Sequence, residues 1–512
     1  MRIVETVRHA RGQYAALSHC WGSSTTLTTT QATLDDRVDA VSYDELPKTF
    51  QDAVQVCRAL GLKFLWIDSL CIIQDDPEDW ANEASLMAAV YHNAYLTISA
   101  TSSRSSNEGL FRRSVVHNLT GQLDDGTIYQ FVFRQKFDHN WQVFDHSPNT
   151  PESSHTHTRD QFPLSSRAWG LQERLLSHRV LHFGPGELSF ECISRAYCEC
   201  KGNHLLADTL RAPKLALVNL RTPKNTDRRR LWRNMVELYS PLQLTFSKDK
   251  LPAISGLAQR FAKSGDQYLA GLWSRTKDSS TGGYDTLIED LQWCIRHGSK
   301  RARPAWRAPS WSWASVDGQV SFHGGTADWE FSNVLQHPDV LCTPAVEHIE
   351  CDVNPKDQQA GVYGELLSGS LHLCGRYSTV SWKCVRKHSS SNLLTDYVQF
   401  ENGLEVEFQL DYLPEGQQID DYLPGEVYEG QETSQGGTTR EIVCLLLSLQ
   451  TRKMKPWRVK RYSLVLRRLD PGVHLFERIG LLAEPDRWYA HLTDLVDDKL
   501  LWPQAPEELG II

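Results

Sequence analysis

Short apolar runs alternate with segments of helical periodicity in the N-terminal part of the chain. Three runs have the length and composition of buried strands: Tyr14–His19, Phe64–Asp68 and Tyr95–Ala100. Between the first two, apolar residues recur every three or four positions, with Pro47 at the start and Gly61 at the end of a predicted helix. Asp76 and Pro77 begin a second predicted helix. This order predicts a parallel sheet covered by helices.

After the predicted parallel strands, the pattern of apolar and polar residues predicts two further regions. Arg167–Arg174 has a helical pattern, and the runs at 179–183 and 187–192 flank a Gly-Pro-Gly turn and predict a hairpin. A chain of 512 residues is too long for one ordinary core. We predict an α/β N-terminal domain over 1–205, a mainly helical region over 206–305 and a β-rich C-terminal region over 306–512.

The composition narrows the classes of function. The net charge of -9 gives no electrostatic case for binding nucleic acid or an anionic membrane surface. The N-terminal residues lack the apolar core of a signal peptide, and the longest apolar run, Ile442–Leu449, is far shorter than the ~20 residues of a membrane span. Twelve cysteines without regular spacing favour reduced thiols. We therefore predict a soluble cytoplasmic protein without a membrane span.

Polar residues follow the predicted strands where ligand sites of open α/β sheets occur. Asp68 and Ser69 end the second strand, where the carboxylate can accept a hydrogen bond from a ribose hydroxyl or from loop amides. His19 and Cys20 end the first strand, but neighbouring residues on a strand point to opposite faces. His19 is better placed to reach Asp68 or Cys71 across the strand ends.

Glu83 is the strongest candidate for an acid–base or electrostatic role. Its spacing from Trp80, Met87 and Tyr91 places it beside the packed stripe of the second helix. A partly buried carboxylate either finds a donor or has its pKa raised, and both outcomes suit a group that stabilises positive charge on a sugar. The alternative is a structural salt bridge with an arginine of the segment 167–174.

Two other kinds of site are disfavoured. The chain contains no glycine-rich phosphate loop, which argues against a dinucleotide oxidoreductase and against a P-loop ATPase. Cys192, Cys198, Cys200 and His204 form a cluster of soft ligands, but the paired C-x2-C spacing of zinc knuckles is missing. We predict reduced structural cysteines and no metal.

Several motifs in order and spacing resemble the heterokaryon incompatibility (HET) domain of filamentous fungi, over roughly residues 14–192. They are Tyr14–Gly22, Leu46–Ala53, Leu65–Asp76, Trp80 with Glu83, Met87 and Tyr91, the pair Gly109 and Leu110, and Arg167–Ser177.

The resemblance implies a cytoplasmic effector of non-self recognition, whose activation leads to growth arrest or programmed cell death. It also implies a remote likeness to Toll/interleukin-1 receptor (TIR) domains, some of which cleave NAD with a glutamate on a helix close to a tryptophan. Glu83 would then be catalytic with Asp68 and His19, and NAD would be a substrate.

The nucleotide would be bound by residues of the strand ends and of the later helix: Ser18, Cys20, Trp21, Gly22, Ser69, Cys71, Arg167 and Arg174. The alternative is a non-enzymatic module that recruits a death or stress-signalling partner. In both cases we expect self-association or protein partners through the HET domain.

Overall fold

The computed structural model divides into two compact units. The first comprises 1–224, 242–245 and 252–260, and the second comprises 225–241, 246–251 and 261–512. The structure describes residues 1–4, 12–22, 26–113, 116–134, 160–199, 214, 217, 225–275, 286–295, 303–322, 340–358, 361–386, 394–400, 405–411, 440–452, 457–470, 474–483, 487–489 and 506–512.

A six-stranded sheet forms the centre of the first unit. Its strands are β1 (Tyr14–Ser18), β2 (Phe64–Trp66), β3 (Leu96–Ser99), β6 (Arg179–Phe183), β7 (Leu188–Cys192) and β8 (Ala196–Cys198). The spatial order is β2-β1-β3-β6-β7-β8. The first four strands are parallel, and β7 and β8 continue the sheet in antiparallel fashion. The predicted parallel sheet and the 179–192 hairpin are therefore confirmed.

The helices of this unit begin and end where local chemistry favours it. They are α1 (Leu34–Asp39), α2 (Lys48–Ala59), α3 (Asp68–Cys71), α4 (Pro77–Asn93), α5 (Ala168–Leu176) and most of α7 (Ser255–Phe261), with short 3-10 turns at Gln31–Thr33, Pro163–Ser166 and Pro252–Ile254. Asp76 caps α4 by accepting hydrogen bonds from two amides of its first turn. Gly61 follows α2 with a φ of 69°, a conformation that glycine adopts at low cost.

The main core of this unit lies between the sheet and α2. Leu17, Phe50, Ala53 and Ile98 are fully buried there. Met87 and Tyr91 of α4 pack on the opposite side with Ala16, so each apolar stripe predicted from the sequence faces the sheet.

An additional hairpin, which the sequence analysis did not predict, lies between β3 and β6 in the chain. It consists of β4 (Val116–Gln122) and β5 (Ile128–Arg134), which pair over their whole lengths in antiparallel register. They form a separate two-stranded sheet.

The second unit is rich in antiparallel strands. The strands are β9 (Asp266–Leu269), β10 (Leu272–Arg275), β11 (Trp293–Ile295), β12 (Val320–Phe322), β13 (Val340–Pro344), β14 (Val346–Pro355), β15 (Leu366–Gly375), β16 (Tyr377–Arg386), β17 (Leu394–Gln399), β18 (Glu405–Leu410), β19 (Arg440–Arg452), β20 (Trp457–Asp470), β21 (Leu475–Ala483), β22 (Arg487–Tyr489) and β23 (Glu507–Ile511). Strands β13 to β23 form one 11-stranded sheet. Within it the pairings run from β16 through β17, β18, β21, β20 and β19 back to β16.

Helices and large aromatic side chains complete the second unit. Its helices are α6 (Asn225–Tyr239), the end of α7 and α8 (Leu287–Asp290), with 3-10 turns at Ser247–Lys250, Trp313–Ser315 and Gly361–Tyr363. Trp232, Trp293, Trp311 and Trp313 are fully buried. The region 206–305, predicted to be mainly helical, also contains β9, β10 and β11, because short buried apolar runs do not distinguish a strand from a helix.

The α/β class of the N-terminal part and the β-rich character of the C-terminal part are confirmed. The likeness to TIR domains and the boundaries at 205 and 305 stay predictions. No helix in the described part of the chain is long and apolar enough to cross a membrane.

Candidate functional site

The carboxyl ends of the parallel strands meet at one edge of the first unit's sheet. The chain passes from β1 to β2 on one side of β1, and then crosses to β3 on the other side. This reversal of direction is the position at which open α/β sheets bind ligands. Ser18 ends β1 at this edge and His19 follows it, Asp68 follows β2, and Ser99 ends β3.

Asp68 is held in a fixed orientation at the edge. It begins the short helix α3 instead of ending the strand as predicted, because the chain turns after Trp66. One carboxylate oxygen accepts a hydrogen bond from the Ser69 amide at 2.7 Å, and the other accepts one from Trp21 Nε1 at 2.9 Å. The side chain remains 20% exposed. A ligand hydroxyl can therefore reach a carboxylate that is already oriented.

His19 lies beside Asp68 in a buried position. Its Nδ1 is 3.7 Å from Asp68 Oδ1, and its ring meets that of Phe50 edge-on at 5.0 Å between centroids. Neither ring nitrogen has a hydrogen-bond partner among the described residues. Burial lowers the pKa of His19, Asp68 opposes this effect, and Arg167 adds to it. The ring is therefore neutral at neutral pH.

The cysteines of this edge are poor nucleophiles. Burial raises the pKa of Cys20 to about 11, although Arg167 opposes the shift. Burial also raises the pKa of Cys71 to about 11, with further contributions from the charges of Asp68 and Glu83. Because the thiolate is the reactive form, these side chains are packing groups at neutral pH.

Glu83 lies on α4, one turn before Met87, which packs on the sheet. A crossover helix runs opposite to the strands it connects, so the N-terminal half of α4 lies at the carboxyl edge. The side chain is half-buried, and burial followed by the charge of Asp79 raises its pKa. The charge of Glu83 raises the pKa of the Cys71 thiol. Among the described ion pairs, none joins Glu83 to Arg167 or Arg174.

Glu173 is a buried carboxyl group that the sequence analysis missed. It extends from α5 to the end of β1, where it accepts a hydrogen bond from Ser18 Oγ and lies beside the hydroxyl of Tyr91. Burial raises the pKa of Glu173 to about 7, with a contribution from Asp68, whereas Ser18 and Arg167 oppose the shift. Its spacing of four residues from the packed Trp169 was the available signal for a carboxylate on the buried stripe of α5.

The two candidate arginines have different surroundings. Arg167 is the N-cap residue of α5, and its charge acts on His19, Cys20 and Glu173, so it faces the edge site. Arg174 forms two hydrogen bonds with Glu191, at 2.8 and 2.9 Å. The structure thus brings Arg167 to the other candidates and engages Arg174 elsewhere.

Several positively charged or titratable groups surround Glu191 in a buried cluster. Besides Arg174, Lys214 Nζ is 3.3 Å and His182 Nε2 is 3.4 Å from its Oε1. Burial alone would raise the pKa of Glu191, but Arg174 and Lys214 hold it well below its usual range. Because removing one partner of such a group is costly, we assign this cluster a structural role.

The turn after β1 packs tightly against the loop after β3. Gly22 has a φ of 85°, and a Cβ at this position would lie 2.4 Å from the Cβ of Ser105. The Trp21 carbonyl accepts a hydrogen bond from Thr26 Oγ1 at 2.8 Å. Because a side chain at position 22 would overlap Ser105, only glycine allows this approach, which positions Trp21 to contact Asp68.

Ser69 is completely buried, and its Oγ has no hydrogen-bond partner among the described residues.

The cysteine and histidine cluster gives no metal site that can be described. Cys192 is half-buried and Cys198 is buried, whereas Cys200 and His204 lie outside the described residues. Within the described part, no group of three histidine, cysteine or acidic side chains is arranged to hold a metal ion.

Comparison with known proteins agrees with the motif analysis. Residues 14–173 match the family described as heterokaryon incompatibility protein (HET), so the resemblance predicted from the motifs is confirmed over this range. No curated protein matches the chain, and no solved structure matches it.

Proposed function

Because residues 14–173 form a domain of the heterokaryon incompatibility family, we propose that this protein is a cytoplasmic effector of fungal non-self recognition and programmed cell death. In this proposal the HET domain cleaves the N-glycosidic bond of a nicotinamide nucleotide such as NAD. The active site is the carboxyl edge of the sheet, with Glu83 as the catalytic residue.

One observation carries the enzymatic part of the proposal. Two carboxylates belong to this edge: Asp68 begins α3 just after β2, and Glu83 lies in the N-terminal half of α4. The charges of both raise the pKa of the Cys71 thiol. Neither is fully buried, so both can reach a ligand. A poorly hydrated carboxylate interacts strongly with positive charge that develops in a transition state. Glycosidic cleavage develops such a charge on the ribose.

The residues of the edge have different roles in the proposed reaction. As the bond between the ribose carbon and nicotinamide breaks, nicotinamide leaves with the bonding electrons, and Glu83 stabilises the resulting oxocarbenium-like charge. Water then adds to the same carbon and releases a proton, giving ADP-ribose. Asp68, oriented by Trp21 and the Ser69 amide, accepts a hydrogen bond from a ribose hydroxyl.

The phosphates would be bound from two sides. Arg167 supplies the cationic contact, since Arg174 is engaged by Glu191. In the turn from Ser18 to Gly22, the backbone would come close to the phosphates of the nucleotide. Glu173 fixes this turn through Ser18 Oγ, and it acts as a positioning residue because it is buried.

The test compares nicotinamide release by the purified full chain and by two matched variants. We expect Glu83→Gln to reduce the rate at least ~100-fold, since a neutral amide cannot stabilise the transition-state charge. Glu78→Gln, on an exposed position of the same helix, should leave the rate unchanged. No release by wild-type protein at high concentration would contradict the enzymatic proposal.

A second function is favoured by the exposed apolar hairpin β4–β5. A surface of this kind is typical of protein interaction sites, as expected for a non-enzymatic module that acts through protein contacts to recruit a death or stress-signalling partner. Expression in a fungal host separates the two functions. If Glu83→Gln loses nicotinamide release and remains toxic, the interaction module is correct; if it loses both, the enzyme is correct.

A further inference from the structure

The hairpin β4–β5 has two free edges within the described part of the chain. Its strands pair from Val116 with Arg134 to Gln122 with Ile128, and no other described strand joins them. The turn is closed by a hydrogen bond of 2.8 Å from the Leu123 amide to the Thr127 carbonyl. An isolated two-stranded sheet is marginally stable in water unless another strand or a core covers it.

The hairpin also exposes an unusual amount of apolar surface. Tyr129, Phe131 and Phe133 form a row on one face, with ring centroids 5.3 and 6.2 Å apart. Six apolar side chains of the two strands are more than half exposed. Leu119, Phe131 and Phe133 lie on the aromatic face, and Val116, Ile128 and Val132 lie on the opposite face. The aromatic face is a contiguous apolar patch, and patches of this kind mark interaction sites.

The charge distribution of the hairpin is compatible with a second copy of this chain as its partner. The chain carries a net charge of -9, so two copies can meet most easily at a surface without acidic residues. The two strands contain no acidic residue, and Arg134 at the end of β5 is the one permanently charged residue in them. The hairpin also lacks the lysines, prolines and bulges that protect free edges from pairing.

The sequence of β5 is compatible with pairing to itself. In an antiparallel pair of two β5 strands related by a two-fold axis at Phe131, Phe131 faces its own copy and Tyr129 faces Phe133. Arg134 then faces Ile128, so no like charges meet. The three aromatic residues of each copy lie on the same face because side chains alternate along a strand.

We infer that the hairpin is a self-association surface, through which β5 of one copy pairs with β5 of a second copy of this chain. The product is a four-stranded sheet with one continuous aromatic face. This surface is independent of the proposed nucleotide chemistry, since it involves none of the residues at the carboxyl edge.

Sedimentation of the full-length protein over a wide concentration range tests the inference. Wild type should pass from monomer to dimer as its concentration rises. Phe131→Glu should weaken dimerisation roughly tenfold or more, because two carboxylates would face each other at the axis. Phe246→Glu, which replaces an equally apolar and 60% exposed residue, should dimerise like wild type.

Two variants of opposite charge, studied alone and mixed, distinguish a loss of pairing from a loss of folding. Phe131→Lys alone should also dimerise more weakly than wild type, whereas a mixture of Phe131→Glu and Phe131→Lys should form the mixed dimer, since opposite charges then meet at the axis. A wild-type monomer at every concentration would overturn the inference. Failure of the mixture to associate would overturn it too.

Glu83→Gln should dimerise like wild type. This result keeps the outcome for the hairpin distinct from the outcome for the proposed enzymatic activity.

Discussion

Two glutamates of the first unit differ in what their surroundings allow. Glu83 is half-buried at the carboxyl edge, so a ligand can reach it. Glu173 is buried against Ser18 and Tyr91, and its pKa of about 7 results chiefly from loss of hydration. The first is suited to contact substrate, and the second holds the polypeptide that forms the site.

The raised pKa of Glu173 makes the stability of the first unit dependent on pH. The unfolded chain releases this proton near the ordinary glutamate value of 4.5, whereas the folded protein retains it until about pH 7. The folded state therefore binds more protons between these values, and stability falls as pH rises through this window. The loss is at most about 3 kcal/mol.

We expect Glu173→Gln to remove this loss, because the amide keeps a partner for Ser18 Oγ without titrating. Urea denaturation of the full chain at pH 5 and pH 7.5 should show a smaller difference for the variant than for wild type. Glu78→Gln should behave like wild type. Equal pH dependence in Glu173→Gln and wild type would contradict the assigned pKa.

At the scale of elements, the site depends on how closely the turn after β1 approaches the loop after β3. Gly22 and Gly61 both have positive φ values, but only Gly22 has a neighbour in contact range of an added Cβ. The two glycines thus separate the cost of backbone strain from the cost of steric overlap.

We expect Gly22→Ala to destabilise the first unit by about 2 kcal/mol or more, since it combines strain with a contact to Ser105. Gly61→Ala should cost only about 1 kcal/mol, which is the usual strain of a left-handed non-glycine residue. The midpoints of urea denaturation measure both changes. An equal cost for the two variants would mean that the turn relaxes away from Ser105.

At the scale of the whole molecule, each unit contains its own buried ionic group. In the second unit the fully buried Arg478 donates to Asp411 at 2.9 Å, and to the carbonyls of Leu291 and Trp293. Its guanidinium also lies over the ring of Trp293. Burial raises the pKa of Asp411 to about 6, although Arg478 opposes the shift.

Arg478→Met should destabilise the second unit by about 3–5 kcal/mol, because it leaves a buried carboxylate and carbonyls without their donor. Hydrogen exchange of the β18 and β21 amides measures the effect. Arg467→Met is the matched control, since Arg467 is 31% exposed and its partner Glu477 also contacts Arg303. It should cost no more than about 1 kcal/mol.

Much of the first unit could be predicted because its signals are local. The cap at Asp76, the glycine after α2 and the apolar stripes of α2 and α4 each depend on residues a few positions apart. The hairpin β4–β5 was not predicted, because its exposed strands lack the alternation of apolar and polar residues that marks a half-buried strand.

The sequence by itself determined the order of the parallel strands and of the helices α2 and α4, the edge at which the polar residues meet, and the family that residues 14–173 match. These follow from short-range periodicity and from ordered motifs. The tertiary structure alone decided that Glu173 contacts Ser18, 155 residues away, and that Arg174 pairs with Glu191. Such partners depend on how the helices pack on the sheet. Many carboxylates and arginines have equivalent local sequence patterns, so only the packing determines which of them come into contact.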